Sequence, residues 1–571
     1  MKIPKNRPTH PKTEDPSAAE PTPPAPAQTA SENNLSATLD SALQSIVSPL
    51  REAFKPSVRP NEARISQSDL DELLQQFKDL PKPIELAKLL RSRGYQSTVE
   101  NLDFARSPLV GTRAPGVGLT PILGTSLYHN VNFSGLHFKN CSFDELNLKG
   151  STFQDTHFTH CSLKKTILLN ASIDNTSFSD CDLSHALLDH ATINQSNFGE
   201  SNLRSLNACH TILKDITFSD SNLEAANFWG SDVSGGDLSN CNLRNTLLFE
   251  TKAGFSITGG TPNTIVSPVV ALLWNPEFPG MSGSKVVDRL EARDNVVFKM
   301  DYTPPQSDPG ALSQDILRAL DVLGRGSNVD TGETSKAQEL LALVAEEPDT
   351  YPTLAALLQR TADVVPFLNG IILPGGADVE AEFYNQTLSS TDNQAPHDYR
   401  RTIMEFALLK HARRGVPLLG LCRGAQLANV FYGGTLRNVK GQWAKVQSYT
   451  IKSPSDKSKG FLHPLTGSAL VGASAHNQAI DVIGDTLEVV VRYDGMPKAV
   501  ETKLGVPLVA TQFHPEFHGD KTSLAARGLT FVLSDANAGV WDGFRTCTEA
   551  HRAKQAALSE LKAKNPKSKL P

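Results

Sequence analysis

The sequence predicts a chain in two structural parts. The first is a solenoid that turns a corner every five residues, and the second is a layered α/β domain on a mostly parallel sheet. Two observations carry this. Between residues 131 and 248 a mostly large apolar residue returns at every fifth position, twenty-four times without a slip. From about Ser267 the pattern changes to short apolar runs alternating with helical patterns, the sign of strands and helices in layers.

In chain order, residues 1–34 come first. Eight of the first thirty residues are proline, among Ala, Thr, Ser and Glu. Such a stretch buries too little apolar surface to offset its ordering entropy, so a disordered arm is expected. Residues 35–120 carry three short helical patterns. Leu35, Leu39, Leu43 and Ile46 form one, ended by Pro49. Leu70, Leu73, Leu74 and Phe77 form another after Ser68, an N-cap residue. Leu86, Leu89 and Leu90 form the third, which stops near Gly94 as at a C-cap. They are expected to pack as a small bundle on the next domain. No cationic face marks them as a membrane-surface segment.

The period of five, over 121–252, fits neither a helix nor a flat strand. It fits a solenoid with large side chains stacked along its axis and small ones between them. Cys141, Cys161, Cys181 and Cys241 occupy the small inward position, where a thiol acts as a small hydrophobe. This segment resembles the pentapeptide-repeat family. The resemblance implies a right-handed quadrilateral β-helix with four pentapeptides per coil, hence about six coils and roughly 29 Å of length. Some members of that family mimic DNA with a strongly acidic surface. Residues 131–250 hold 14 acidic against 7 basic side chains, too mild a balance for that. A rigid spacer or a docking surface for a protein partner is the expectation instead.

Gly254, Gly259, Gly260 and Pro262 mark an exit linker over 253–266. Few obligate contacts are expected across it, so a chain beginning near Ser267 is expected to fold alone. In the α/β domain, 267–545, buried strands are expected at 268–274, 296–300, 370–373, 417–421 and 508–513, and a helix at 425–432. Helical patterns at 311–323, 337–346 and 354–365 fill an unusually long stretch between Trp274 and Gly370. That insertion reads as a lid, a partner-binding arm, or decoration away from any site. A basic tail, 546–571, ends the chain as a frayed helix.

The chemistry gathers at three strand ends. Gly420-Leu421-Cys422-Arg423-Gly424 follows one strand and opens a helix, the pattern of a nucleophile elbow. The glycines permit a tight turn that exposes the thiol, and a helix N-terminus favours the thiolate. Cys422 is expected at positive φ. Gln512-Phe513-His514-Pro515-Glu516 ends another strand. There His514 can serve Cys422 as general base, and Glu516 can orient the imidazole. Pro374-Gly375-Gly376-Ala377-Asp378 closes a third, where a Gly-Gly turn exposes backbone N–H groups of the kind an oxyanion hole needs.

Together, PGG, LCRGAQLANVFYGGTL, SAHNQAI and QFHPE resemble the class I glutamine amidotransferase superfamily. The C-R-G elbow and the H-x-Q element are similar to its γ-glutamyl hydrolase branch, which includes the γ-glutamyl-GABA hydrolases. The resemblance covers about 267–535. It implies a Cys422–His514–Glu516 triad and an oxyanion hole from the backbone of Gly376 and Arg423. The implied substrate is a γ-glutamyl small molecule or conjugate, cleaved through a γ-glutamyl thioester, with no cofactor and no metal. Gln426 is implied to face the glutamyl group, and Ser474, His476 and Gln478 to line the pocket. Ala473 and Asn477 stand where the branch often has Asn and a second His, so leaving-group specificity is expected to differ. Asp301-Tyr302-Thr303-Pro304-Pro305 replaces a Gly-Gly-Pro-like turn. Asp398, Arg400, Arg401 and Glu405 match a charged cluster of the branch and read as structural ion pairs.

A net charge of −6 argues against a general nucleic-acid binder. No apolar run reaches the roughly 18 residues of a membrane span, and no h-region follows the N-terminus. Seven scattered cysteines with no CxxC pair point to a reducing, cytoplasmic setting. Two function classes stand. One is a cysteine-dependent γ-glutamyl hydrolase with the β-helix as docking module. It would be free-standing, since no synthetase domain is present to use ammonia. The other is an interaction scaffold with a repurposed fold. A Pro/Ser-rich arm joined to a pentapeptide β-helix also resembles some bacterial effectors secreted into host cells.

Overall fold

The computed structural model describes residues 63–75, 83–104, 128–249, 251, 254–274, 281–302, 310–324, 335–384, 398–412, 415–439, 445–450, 469–474, 476–503, 507–517 and 536–564. The proline-rich arm, the first helical pattern, residues 303–305 and the last residues of the tail lie outside them.

In the solenoid, residues pair with those twenty positions on. Ser172, Thr192, Ile212 and Asp232 form one parallel ladder, and His137, His157 and Ser177 another. Single bridges link Ser142, Ser162, Asp182, Asn202, Asn222 and Asn242 on a third side. Asn147, Ile167, Leu187, Asn207, Asn227 and Leu247 are linked on the fourth. Four sides of five residues are what the pentapeptide period requires. Phe138, Phe158, Phe178, Phe198 and Phe218 stack up the interior with ring centroids 4.6–5.4 Å apart. The corners carry a second regularity. Asn140, Asp155, Asn170, Asp180 and the other fifth residues between them are left-handed, with φ near 50–60°. Asn, Asp and Gly tolerate that conformation best, which is why they recur there.

Both ends of the solenoid depart from the expected boundaries. Ile84–Glu85 pairs with Val131–Asn132, and Thr98–Glu100 with His137–Lys139, so residues 83–104 extend the coil ahead of its expected start at 121, while Leu70, Leu73 and Leu74 pack on the solenoid core as expected. The helix Leu86–Ser92 buries Leu86, Leu89 and Leu90 as a cap on an otherwise open apolar end. At the other end Phe255–Ser256 pairs with Gly236–Asp237, and Thr261 bridges Asn242. The Asn245 side-chain oxygen accepts from the N–H of Val266 at 2.8 Å. The expected linker is therefore a last partial coil.

The central sheet of the α/β domain has, among the described residues, seven strands, β1 (Val269–Trp274), β2 (Val296–Asp301), β3 (Gly370–Leu373), β4 (Leu418–Leu421), β5 (Leu487–Tyr493), β6 (Met496–Thr502) and β7 (Leu508–Thr511). Their order in the sheet is β2-β1-β3-β4-β7-β6-β5. The first five in that order run parallel, β6 runs antiparallel to β7, and β5 runs antiparallel to β6. The helices are α1 (Met281–Glu291), α2 (Ala311–Gly324), α3 (Lys336–Glu346), α4 (Pro352–Val364), α5 (Tyr399–Ala412), α6 (Arg423–Phe431) and α7 (Ala536–Lys564). The carboxyl ends of β3, β4 and β7 lie side by side at the centre, where an open α/β sheet places its ligands. The insertion helices α2, α3 and α4 bury Ile316, Leu340, Leu341 and Leu354 in the core. Ser335 and Gln338 donate side-chain hydrogen bonds to the Phe431 carbonyl at the end of α6 (2.8 and 2.6 Å). The described helices of the insertion thus form a structural layer. Nor is 546 a boundary. Helix α7 runs through it, burying Trp541, Phe544 and Thr548, and Gln555 accepts from Asn369 at 2.6 Å.

The two parts share a buried interface, contrary to the expectation of few contacts. Strand β2 is the sheet's edge, yet all six of its residues are buried. The fourth side of the solenoid covers it. Outward-pointing Cys209, Trp229 and Leu247 join the core that holds Phe298 and Met300, and Leu169 and Leu187 join the one that holds Val297. Asn227 donates to the Lys299 carbonyl at 3.4 Å, and His190 Nε2 lies 2.7 Å from Asp301 Oδ2. From helix α4, Arg360 reaches His210 at 2.9 Å and stacks over Trp229.

Asp189 lies inside this interface, hydrogen-bonded by Asn207. Burial pushes its carboxyl up to about 7, with Asp301 adding to the effect. In the unfolded chain it ionises near 3.8. The folded state therefore keeps a proton that the unfolded state releases, and this contribution to stability falls as pH rises from about 4 to about 7. His190 acts in the same sense. Burial opposes its charge, but the Asp301 hydrogen bond outweighs it and raises its pKa. That stabilisation fades as pH climbs through the raised value. Asp189→Asn keeps an acceptor for Asn207 and cannot ionise. It should raise the melting temperature at pH 8 but not at pH 4, as paired thermal melts would show; equal shifts at both would refute the buried-proton account.

Candidate active site

Cys422 sits between β4 and α6 with φ 50° and ψ −102°, the positive φ expected of an elbow. Its N–H donates to the Thr511 carbonyl at 2.7 Å, tying the elbow to the end of β7. The flanking glycines are needed for close approach rather than for the turn itself. A Cβ on Gly424 would run into the Leu373 carbonyl, and one on Gly420 would crowd Ala510 and the Gly424 carbonyl. The left-handed residue is the cysteine alone. The elbow is also less open than expected, since Cys422 is only 3% exposed. Gln512, whose side-chain nitrogen lies 3.9 Å from the sulfur, is one of the groups covering it.

His514 and Glu516 follow β7 directly. His514 Nδ1 lies 2.7 Å from Glu516 Oε1, and the ring also hydrogen-bonds the Cys422 side chain. With Nδ1 committed to the carboxylate, Nε2 is left for the sulfur. Burial opposes the imidazolium, but Glu516 first and Cys422 second push the His514 pKa well above its ordinary value. Glu516 is fully buried, and its backbone carbonyl accepts from Arg289 of α1 at 3.1 Å.

Gly376 stands in the turn after β3. A Cβ there would strike the Arg401 guanidinium, which would have to move aside. Arg423 carries the first N–H of α6, one of the four that have no partner within a helix. Its side chain turns away to Glu405 and Thr402. Of the expected pocket residues, Gln426 donates to the Gln478 carbonyl at 2.6 Å. Gln478 itself clasps the backbone of Val379, accepting from its N–H (2.8 Å) and donating to its carbonyl (3.0 Å). Both amides thus hold the wall together. Ser474 and His476 are buried, and His476 Nε2 lies 3.2 Å from Lys498 Nζ. Burial and Lys498, with His514 behind, hold His476 down at about 3.

Of the four charged residues expected to form ion pairs, Arg401 and Glu405 pair with each other at 2.9 Å, while Asp398 accepts from the Arg401 backbone N–H. Sequence reasoning missed Gln512 on the sulfur, Lys498 on His476, and the joining of Glu405 to Arg423. Gln512 opens the QFHPE element but reads there only as a lead-in to His514, and Lys498 is a strand residue with no motif around it. The third had a signal, because Arg423 and Glu405 are charged residues in otherwise buried segments. Among the described residues no cluster of His, Cys, Asp or Glu could hold a metal ion, and no helix is long and apolar enough to cross a membrane.

This fold and this arrangement of strand ends are those of a class I glutamine amidotransferase-like domain. Residues 347–516 match the Peptidase C26 family model, and residues 122–198, 151–228 and 221–248 match pentapeptide-repeat models. Two relatives are named, provisionally, as glutamine amidotransferases. One, from Mycobacterium tuberculosis, is 35% identical over 186 residues, covering 31% of this chain and 58% of its own. The other, from Schizosaccharomyces pombe, is 33% identical over 177 residues, covering 29% and 68%. A solved structure from Thermoplasma acidophilum, named, again provisionally, as one of the subunits of GMP synthase, is 13% identical, with a TM-score of 0.29 over 51% of this chain and all of its own. The chain belongs to the class I glutamine amidotransferase-like proteins of the Peptidase C26 family, with a pentapeptide-repeat region ahead of that domain.

Proposed function

We propose that the α/β domain hydrolyses a γ-glutamyl amide through a γ-glutamyl thioester on Cys422. The observation that carries this reading is the hydrogen-bonded chain from Cys422 through His514 to Glu516, with the cysteine at the head of a helix. In this reading His514 takes the thiol proton and the sulfur attacks the γ-carbonyl carbon. The carbonyl oxygen becomes an oxyanion held by the N–H groups of Gly376 and Arg423. The C–N bond breaks as the His514 imidazolium gives its proton to the leaving amine. Water then attacks the thioester with His514 as base, releasing the γ-carboxylate and restoring the thiol. Glu516 keeps the ring in one orientation and stabilises its charge.

The seven free cysteines favour a reducing compartment for the protein. With one solenoid side committed to the α/β domain, docking of a protein partner falls to the remaining sides.

The reading is tested by incubating the full chain with a panel of γ-glutamyl amides and glutamine, and by Glu516→Gln. Without the carboxylate, His514 loses the largest influence that raises its pKa. The imidazolium then persists over a narrower range, so the alkaline limb of the kcat/KM profile should move to lower pH. The rate should drop by about 10²–10⁴-fold. An unmoved alkaline limb would separate Glu516 from the proton-transfer chain.

A further inference from the structure

Arg401, Thr402 and Glu405 lie on one face of α5, and between them they touch both proposed oxyanion donors. Arg401 Nη2 donates to the carbonyls of Pro374 (2.9 Å) and Gly375 (3.0 Å). In a trans peptide the C=O and the next N–H point in opposite directions. Drawing the Gly375 carbonyl toward Arg401 therefore aims the Gly376 N–H away from it. Arg401 Nε donates to Glu405 Oε1 at 2.9 Å, and Glu405 Oε2 takes Nη1 of Arg423. Arg423 Nη2 donates to Thr402 Oγ1 at 2.6 Å, and Thr402 donates to Glu380 Oε2 at 2.7 Å. Glu380 Oε1 accepts from the Asp398 N–H at 2.9 Å. Asp398 Oδ1, in turn, accepts from the Arg401 N–H at 3.2 Å. Arg401, Glu405, Arg423 and Glu380 are all buried.

One carboxylate thus bridges two arginines. The first holds the turn that presents Gly376, and the second is the residue that presents its own N–H beside Cys422. A buried arrangement of this kind costs desolvation and needs good geometry to break even. Spanning two separate loops, it fixes their separation. We propose that the Arg401–Glu405–Arg423 relay sets the spacing of the two oxyanion donors, making Arg401 and Glu405 positioning residues for a reaction whose chemistry they do not touch. This rests on the hydrolase reading above.

The test uses the full chain with γ-glutamyl-p-nitroanilide and with glutamine, comparing wild type, Arg401→Met, Arg401→Lys and Glu405→Gln. Arg401→Met and Glu405→Gln should lower kcat by about 10²–10³-fold, the effect of losing one oxyanion donor. KM should stay within about threefold, since the donors act mainly in the transition state. Alkylation of Cys422 by iodoacetamide, which forms no oxyanion, should keep its wild-type rate in every variant. Arg401→Lys retains charge and one carbonyl contact and should recover at least about tenfold over Arg401→Met. Full kcat in the variants would overturn the relay alone, as would a fall in alkylation parallel to kcat, which marks a collapsed site. A wild-type chain that turns over neither substrate would overturn the hydrolase reading, and the relay with it.

Discussion

Replacing Cys422 with alanine should remove hydrolysis, by on the order of 10⁴–10⁶-fold, while leaving the fold in place. Both residues carry a Cβ, so the strain of a positive φ at the elbow is the same in each. The backbone bond from residue 422 to the Thr511 carbonyl is unaffected. Only the sulfur is lost, from a site where it touches Gln512 and His514. Burial rather than exposure sets the cost, and removal of one such atom is worth about 1 kcal/mol. A thermal melt should therefore move by only a few degrees. A second reading separates loss of the nucleophile from disruption of the site. Cys422 is among the groups that raise the His514 pKa, so the ring should titrate lower in the variant. Wild-type turnover in Cys422→Ala would end the thioester mechanism.

Much of this was legible in the sequence because it depends on periodicity or on local turn chemistry. The five-residue period sets the side length of the solenoid, and the bridge register of twenty follows from four such sides. The elbow, the Gly-Gly turn and the His-x-Glu pair each follow a strand directly, so a parallel sheet brings them together by topology alone. The remaining parts depend on contacts between distant segments. In the sequence Arg401 reads as one member of an ion pair, because the carbonyls it holds belong to a turn 26 residues away. The interface left a fainter trace. Leu169, Leu187, Trp229, Leu247 and Phe249 are apolar residues at outward positions on a single side of the solenoid, recurring with the twenty-residue coil. Read at a period of five they look like scattered exceptions. At a period of twenty they form a stripe, and a stripe that long needs cover.

That stripe decides what truncation does. A chain beginning at Ser267 keeps the sheet, Cys422, His514 and Glu516 but loses everything that covers β2. Phe298 loses the edge-to-face contacts of Trp229 and Phe249, with centroids 5.3 and 5.9 Å away. Phe367 loses Phe249 at 4.5 Å, and Arg360 loses both His210 and the Trp229 ring. The Lys299 carbonyl loses Asn227, and Asp301 is left without His190. What remains is an uncovered apolar edge strand, a template for pairing with another copy of itself. Each large side chain uncovered forfeits about 1.5–3 kcal/mol, and the total stability of a domain is only about 5–15 kcal/mol, so several such losses are enough to unfold it. The truncated chain should be insoluble or melt far below the full chain. A chain beginning at residue 63, which retains the solenoid and its cap, should be soluble and cooperative. Sedimentation and thermal melts of the two would check this. A soluble fragment from Ser267 that melts within about 5 °C of the full chain would show the interface to be dispensable, and the solenoid to be an appendage rather than part of the core.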